Sequence, residues 1–243
     1  MPNKTVLITG SAGRIGAEIA RTLHADDMDV IIHYHRSGSL AQKLVDELNT
    51  ARQRSATAVQ GDLLDVTALA GIIDSAAGFN RRLDALVNNA SSFYPTPVAS
   101  TTTAQWEDLI GTNMKAPFFL SQQAVPHLKR QNGCIINITD IYAEQPLRTY
   151  PVYSAAKAGL AMLTRALARE LGPEIRVNAI APGAILWPEG MDDKSKDRIT
   201  ARTALGRAGH PADIAAAVRF LIRDAGYMTG QILTIDGGRL LFS

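Results

Sequence analysis

The chain has a single cysteine, Cys134, in 243 residues, which excludes any disulfide within it. Cys134 opens the apolar run Cys134-Ile135-Ile136-Asn137-Ile138, where it reads as a small buried hydrophobe. No stretch approaches the roughly eighteen consecutive apolar residues that cross a bilayer. An excess of one charge is also missing: 25 basic and 23 acidic side chains leave a formal +2. Nothing in the charge balance therefore calls for a nucleic-acid or membrane partner. Histidine is sparse, and His24, His127 and His210 are scattered without the spacing of metal ligands, so no metal is expected. Internal repeats and low-complexity linkers are absent. The first apolar run, Thr5 to Thr9, is too short for a secretory signal, so a cytoplasmic enzyme is expected. What remains is an ordinary globular composition, 46% hydrophobic and 20% charged, in a chain long enough for one α/β domain with a sizeable core.

Short β-branched runs alternate with longer helical patterns. Strands are predicted at Thr5–Thr9, Asp29–Tyr34, Ala56–Gln60, Leu83–Asn88, Cys134–Thr139, Arg176–Ala181 and Ile232–Ile235. Helices are predicted at Ile15–Leu23, Leu40–Leu48, Val66–Ala77, Ala104–Ile110, Lys115–Lys129, Val152–Leu171 and Ala212–Ile222. Strands this short and this apolar are expected where helices cover both faces of a parallel sheet. The alternation implies right-handed crossovers and a doubly wound, Rossmann-type α/β domain spanning residues 1–243. Asp65 is placed to cap the third helix, and Pro211 suits a first helical turn. One stretch is irregular, from Pro182 to about Ser195, with Trp187, Pro188, Gly190, Asp192 and Asp193 in it. A loop of that length in a compact domain reads as a lid, here around residues 183–205.

The first strand runs into Thr9-Gly10-Ser11-Ala12-Gly13-Arg14-Ile15-Gly16, and a helix follows. Glycine-rich turns between a strand and a helix let the backbone approach a phosphate, and the helix N-terminus offers free N–H groups to it. Gly10, Arg14, Ile15 and Gly16 are thus expected to hold a dinucleotide. Enzymes that prefer NAD place a carboxylate at the end of the second strand to bind the ribose 2′-hydroxyl. This chain has His33-Tyr34-His35-Arg36-Ser37 there. A guanidinium and a hydroxyl suit a 2′-phosphate, with Arg14 nearby, so His35, Arg36 and Ser37 point to NADPH. Asp62, followed by Leu63, can accept from the adenine amino group or cap the next helix. Asn89 and Ala90 end the fourth strand, where small residues let the backbone lie against the cofactor.

Tyr153 and Lys157 stand four apart at the start of the long helix, on one of its faces. An ammonium there is expected to favour the phenolate, lowering the tyrosine pKa so that Tyr153 becomes a proton donor usable near neutral pH.

The turn at Thr9–Gly16, Asn88-Asn89-Ala90, Asn113, the Tyr153/Lys157 pair and Pro182-Gly183 together resemble the ordered motifs of short-chain dehydrogenases/reductases, over nearly the whole chain. The resemblance implies a seven-stranded parallel sheet and, commonly, a homotetramer. It further implies that Asn113 holds a water in a proton relay, that Lys157 binds the nicotinamide ribose, and that Thr139, Pro182 and Gly183 line the cofactor. Three positions depart from the general pattern. Arg14 replaces the middle glycine, Ser91-Ser92-Phe93-Tyr94-Pro95-Thr96-Pro97 follows Ala90 in place of a glycine, and Asp140 stands where a catalytic serine is expected. Each departure, and His33-Tyr34-His35-Arg36-Ser37 too, is similar to pteridine reductases.

That subgroup implies reduction of a dihydropterin by NADPH, with dihydrobiopterin, dihydromonapterin and dihydrofolate left open. Tyr153, assisted by Asp140, would protonate a ring nitrogen. A flat ring can stack on Phe93. Arg14 and Ser91 or Ser92 can bond the pterin's polar edge or the cofactor phosphates, and Trp187 can close over the pocket. The rival readings are a carbonyl or 3-oxoacyl-thioester reductase and a non-catalytic NADPH-binding protein.

Overall fold

The computed structural model describes residues 3–187 and 190–242; Pro188 and the lid's central pair to which it belongs lie outside the described residues. Seven strands form one parallel sheet: β1 (Thr5–Ile8), β2 (Asp29–Tyr34), β3 (Ala56–Gln60), β4 (Ala85–Asn88), β5 (Cys134–Ile138), β6 (Arg176–Pro182) and β7 (Ile232–Ile235). Their spatial order is β3-β2-β1-β4-β5-β6-β7. The order reverses between β1 and β4, which opens a crevice at the carboxyl ends of those two strands.

Alternate strand residues face opposite layers, as the pleat requires. Val6, Ile8, Val30, Ile32, Val87 and Ile136 join one apolar cluster. Leu7, Ile31, Leu86 and Ile135 join the other. Helices α1 (Arg14–Ala25), α2 (Gly38–Ala51) and α8 (Pro211–Arg223) cover the first face. Helices α3 (Leu69–Phe79), α5 (Ala116–Lys129) and α6 (Pro151–Leu171) cover the second. Burying each such Ile, Leu or Val is worth about 1.5–3 kcal/mol, so two-sided coverage is what makes unbroken apolar strands affordable. Cys134 is buried and unpaired. No helix among the described residues is long and apolar enough to cross a membrane.

Three local features differ from the sequence expectation. The third helical pattern divides into a 3-10 turn, Val66–Ala68, and α3; Asp65 caps the 3-10 turn by accepting from the Thr67 N–H at 3.0 Å. Between α4 (Thr103–Ile110) and α5 the chain does not break but continues through a π-helical turn, Gly111–Lys115. Apolar periodicity cannot register one extra residue per turn, so two separate helices were expected. The lid is also not irregular throughout. It contains α7 (Asp193–Thr200), whose N-cap Asp192 accepts from the Ser195 N–H and hydroxyl at 2.9 and 2.8 Å. This helix buries no residue, so it shows no apolar stripe for a sequence pattern to detect. Its C-terminal end is tied to the chain's last turn, through Leu205 N–H to the Gly237 carbonyl at 3.1 Å and Arg239 to the Ile199 carbonyl at 3.2 Å.

Candidate active site

The glycine-rich turn sits at the crevice and is held from below. The Thr9 hydroxyl oxygen accepts from the N–H groups of Asn89 and Ala90 at 2.9 and 3.0 Å. The Asn89 carboxamide nitrogen donates to the carbonyls of Thr9 and Gly10 at 2.9 and 3.2 Å. Asn89, expected as a cofactor contact, therefore has its amide nitrogen engaged in clamping the turn, and Thr9 shares that work unpredicted. A Cβ on Gly10 would lie 2.9 Å from the Ala90 Cα, and one on Gly16 would lie 2.7 Å from the Asn89 amide nitrogen, the Gly10 carbonyl oxygen and the Ser11 Cα. These are closer approaches than real side chains make, so the backbone packing here requires glycine.

The turn's residues also fit a bound dinucleotide. The N-cap of α1, Gly13, has no side chain to bond the first N–H groups, and the first turn holds no acid. An uncapped, acid-free N-terminus is what an anionic phosphate needs. Arg14 is exposed and adopts a left-handed backbone, φ 55°, which explains why a glycine is the usual occupant and marks local strain at the crevice. His35, Arg36 and Ser37 are exposed together at the tip of β2. Asp62 turns one oxygen to the Leu64 N–H at 3.0 Å and sets the other 3.8 Å from His35 Nε2, while Leu63 is buried beneath. Asp62 does not cap the following helical turn, a role that Asp65 fills. On the far side of the crevice, Thr139 bonds the Ile180 carbonyl through its hydroxyl at 2.8 Å. Pro182 ends β6, and Gly183 packs so closely on Asp236 that a Cβ would fall 2.7 Å from its Cα.

Tyr153 and Lys157 face the same side of α6, and both are buried. The Tyr153 hydroxyl donates to Asp140 Oδ2 at 2.8 Å. Asp140 Oδ1 accepts from the Tyr142 N–H at 2.9 Å, which fixes the carboxyl as the cap of a 3-10 turn, Ile141–Ala143. Lys157 Nζ donates to the Ile138 carbonyl at 2.9 Å and lies 5.7 Å from the centre of the Tyr153 ring.

The electrostatics correct one expectation. Burial raises the Tyr153 pKa well above its usual value, and the Asp140 charge and hydrogen bond raise it further. The expected lowering by Lys157 is outweighed because the carboxylate is in contact and the ammonium is not. Burial also raises Asp140, against the opposing Tyr142 N–H and Tyr153 hydroxyl. Burial lowers Lys157 to about 8, with Asp140 acting the other way. The Tyr153 hydroxyl thus keeps its proton toward Asp140, beside a lysine whose hold on its own proton is loosened.

Asn113 stands in the π-helical turn and is fully buried. Its amide nitrogen donates to the carbonyls of Leu109 and Ser92, each at 3.0 Å, and its oxygen accepts from the Ser91 hydroxyl at 2.7 Å. Asn113 and Ser91, assigned separate roles from sequence, are thus joined. Phe93 is half-exposed, but it is not free on both faces. Tyr150 stacks on it at 4.6 Å and 19°, and Tyr153 meets its edge at 4.8 Å and 75°. A flat ligand must use the face that Tyr150 leaves open. Tyr150, which no motif singled out, is therefore part of this wall. Trp187 lies half-buried in the segment after β6.

A family profile described as enoyl-(acyl carrier protein) reductase matches residues 10–239. Pteridine reductase 1 of Leishmania tarentolae is 34% identical over 96% of this chain and 94% of its own. The 3-oxoacyl-(acyl-carrier-protein) reductase of Staphylococcus aureus is 34% identical over 97% of both chains. The 3beta-hydroxysteroid dehydrogenase 1 of Eggerthella lenta is 33% identical over 100% of this chain and 95% of its own.

Proposed function

The chain belongs to the short-chain dehydrogenase/reductase family of NAD(P)H-dependent oxidoreductases, and within it we propose that this protein reduces a dihydropterin with NADPH. The observation that carries the reading is the 2.8 Å hydrogen bond from Tyr153 to Asp140. A carboxyl in contact with the proton donor suits a substrate with ring nitrogens and an amino group. It opposes a carbonyl substrate, whose oxygen gains negative charge during reduction.

Bound NADPH would supply the hydride, which adds to the carbon of a C=N bond while a proton adds to its nitrogen. Tyr153 would hold that proton at its hydroxyl. Losing it beside an ionised Asp140 is unfavourable; with Asp140 starting protonated, as its raised proton affinity favours, the carboxyl would pass its proton to the Tyr153 oxygen as Tyr153 passes its own to the nitrogen, and the step would end with one charge, on Asp140. Lys157 would place positive charge below the tyrosine ring and, with Thr139, Pro182 and Gly183, border the nicotinamide half. Arg14, Ile15 and Gly16 would meet the phosphates, and His35, Arg36 and Ser37 the 2′-phosphate. Phe93 would support the pterin ring, and the segment around residues 183–205 with Trp187 would close over it. A homotetramer is the assembly proposed.

A second reading, reduction of a 3-oxoacyl thioester, is favoured by the equal 34% identity to the Staphylococcus aureus enzyme. Oxidation of NADPH at about 340 nm with dihydrobiopterin, dihydromonapterin and dihydrofolate, beside a 3-oxoacyl thioester, separates the two. Turnover of a pterin that Asp140→Ser abolishes is the expected result; turnover of the thioester alone overturns it.

A further inference from the structure

His33 is the one buried residue at the tip of β2, at 2% exposure, while His35, Arg36 and Ser37 beside it are exposed. The buried His33 Nε2 makes no hydrogen bond of good geometry, the Gly61 backbone being the polar group that acts on it, so the ring is at best partly satisfied on that side. The other ring nitrogen has a definite task. Nδ1 accepts from the Gly10 N–H at 3.2 Å, and the His33 carbonyl accepts from the Ser11 N–H at 3.0 Å. Two consecutive amides of the glycine-rich turn therefore end on one residue of β2. Gly10 sits in the left-handed region, φ 60°; Asn89 holds the carbonyls of Thr9 and Gly10 at 2.9 and 3.2 Å, and His33 holds the Gly10 N–H. Nδ1 can accept only from a neutral imidazole, and burial keeps the ring neutral by pulling its pKa down to about 4.

We propose that His33 is the positioning residue of the phosphate turn: its Nδ1 lone pair fixes the Gly10 peptide, and so the direction in which the amides at the start of α1 open toward a dinucleotide. This rests on the cofactor reading above and assigns a role to a buried side chain that acts through the turn. Because the effect is on the turn, it is common to both cofactors. Arg36, in contrast, serves only the one that carries a 2′-phosphate.

The test compares His33→Leu, His33→Gln and His33→Asn with wild type, using titration calorimetry with NADPH and with NADH and a thermal melt of each. Asparagine places an accepting oxygen where Nδ1 stood. Glutamine reaches past it, and leucine offers none. The expected result is about a tenfold weakening of both dinucleotides in His33→Leu and His33→Gln, by the same factor for each, from one lost hydrogen bond. His33→Asn is expected to stay within about twofold of wild type. A loss confined to NADPH overturns the proposal, since the side chain would then act on the 2′-phosphate. So does wild-type affinity in the glutamine or leucine variant, or equal loss in all three. If His33→Leu does not melt as a folded protein, the asparagine and glutamine pair decides alone. Failure of the wild type to bind either dinucleotide overturns the cofactor reading itself, a result distinct from the others.

Discussion

Two glycines of the same turn provide a controlled test of how it is packed. A methyl group on Gly16 meets the Asn89 amide nitrogen, the Gly10 carbonyl oxygen and the Ser11 Cα, all at 2.7 Å. Two of these are backbone atoms, which cannot swing aside as the tip of a side chain can. Gly16→Ala must therefore displace the turn or α1, at a cost of about 1–3 kcal/mol for overpacking. The displaced atoms belong to the segment whose N–H groups would face the phosphates under the proposed function, so about five- to 150-fold of NADPH affinity is expected to go with it. Gly13 is three residues away and differs entirely. A Cβ there meets nothing within 4 Å, and its φ of −164° is extended backbone that any residue adopts. Gly13→Ala is expected to bind NADPH within about twofold of wild type and to melt at or slightly above it, since alanine restricts the unfolded chain. Calorimetric titration of both variants, with a thermal melt of each, reads the difference. If both variants lose affinity alike, or neither does, the packing argument fails.

Three other outcomes follow from the site. Tyr153→Phe is expected to lower kcat at least about a hundredfold while NADPH affinity changes less than about twofold, because only the proton is removed; stopped-flow and equilibrium titration separate the two. Arg36→Ala is expected to weaken NADPH about ten- to a hundredfold and leave NADH nearly unchanged, the size of a lost charged hydrogen bond; equal loss for both would reassign the 2′-phosphate. Lys157 gives a pH dependence. Unfolded, it keeps its proton up to about 10.5; folded, it releases it at about 8. The unfolded chain binds more protons between those values, so stability rises with pH across that window, and the penalty is complete below it. The wild type is expected to gain on the order of 3 kcal/mol relative to Lys157→Met from pH 8 to 10.5, read as the difference in denaturant midpoints. A flat difference would mean the lysine is solvated.

The sheet was legible because its strands are apolar on both faces and its helices are long enough to show a stripe. Asp29–Tyr34, Ala56–Gln60 and Ile232–Ile235 fall where the residues placed them. The π-helical turn at Gly111–Lys115 was not legible, since one extra residue in a turn leaves no periodic trace. Nor was α7, which is polar all round; its sign was the Asp192 and Ser195 cap, three residues apart. In the site, spacing found Tyr153 and Lys157 and the family resemblance found Asp140, but neither gave their balance. A sequence shows that an ammonium stands four residues from a tyrosine. It does not show that the ammonium turns to the Ile138 carbonyl while a carboxyl thirteen residues upstream takes the hydroxyl. His33 and Tyr150 were passed over for the same reason: each acts through a contact made across elements, on the Gly10 N–H and the Phe93 ring.

Overall similarity does not separate the two substrate classes, as the pteridine and 3-oxoacyl reductases stand at the same 34%. The separation has to come from chemistry at one position. Reduction of a ketone leaves negative charge on an oxygen that must be met by donors, and a carboxyl in contact with the tyrosine can help only while it is protonated. Reduction of a C=N bond leaves a nitrogen that takes up a proton, and there a carboxyl with raised proton affinity is useful in both states: as an acid before transfer, and as a partner for N–H groups after it. Asp140 is held from two sides, by the Tyr142 N–H at 2.9 Å and the Tyr153 hydroxyl at 2.8 Å. A residue so fixed is not a neutral replacement for serine. Asp140→Ser should therefore shift the preference between C=N and C=O substrates, and not merely lower both rates; a uniform loss on both would place the discrimination elsewhere in the pocket.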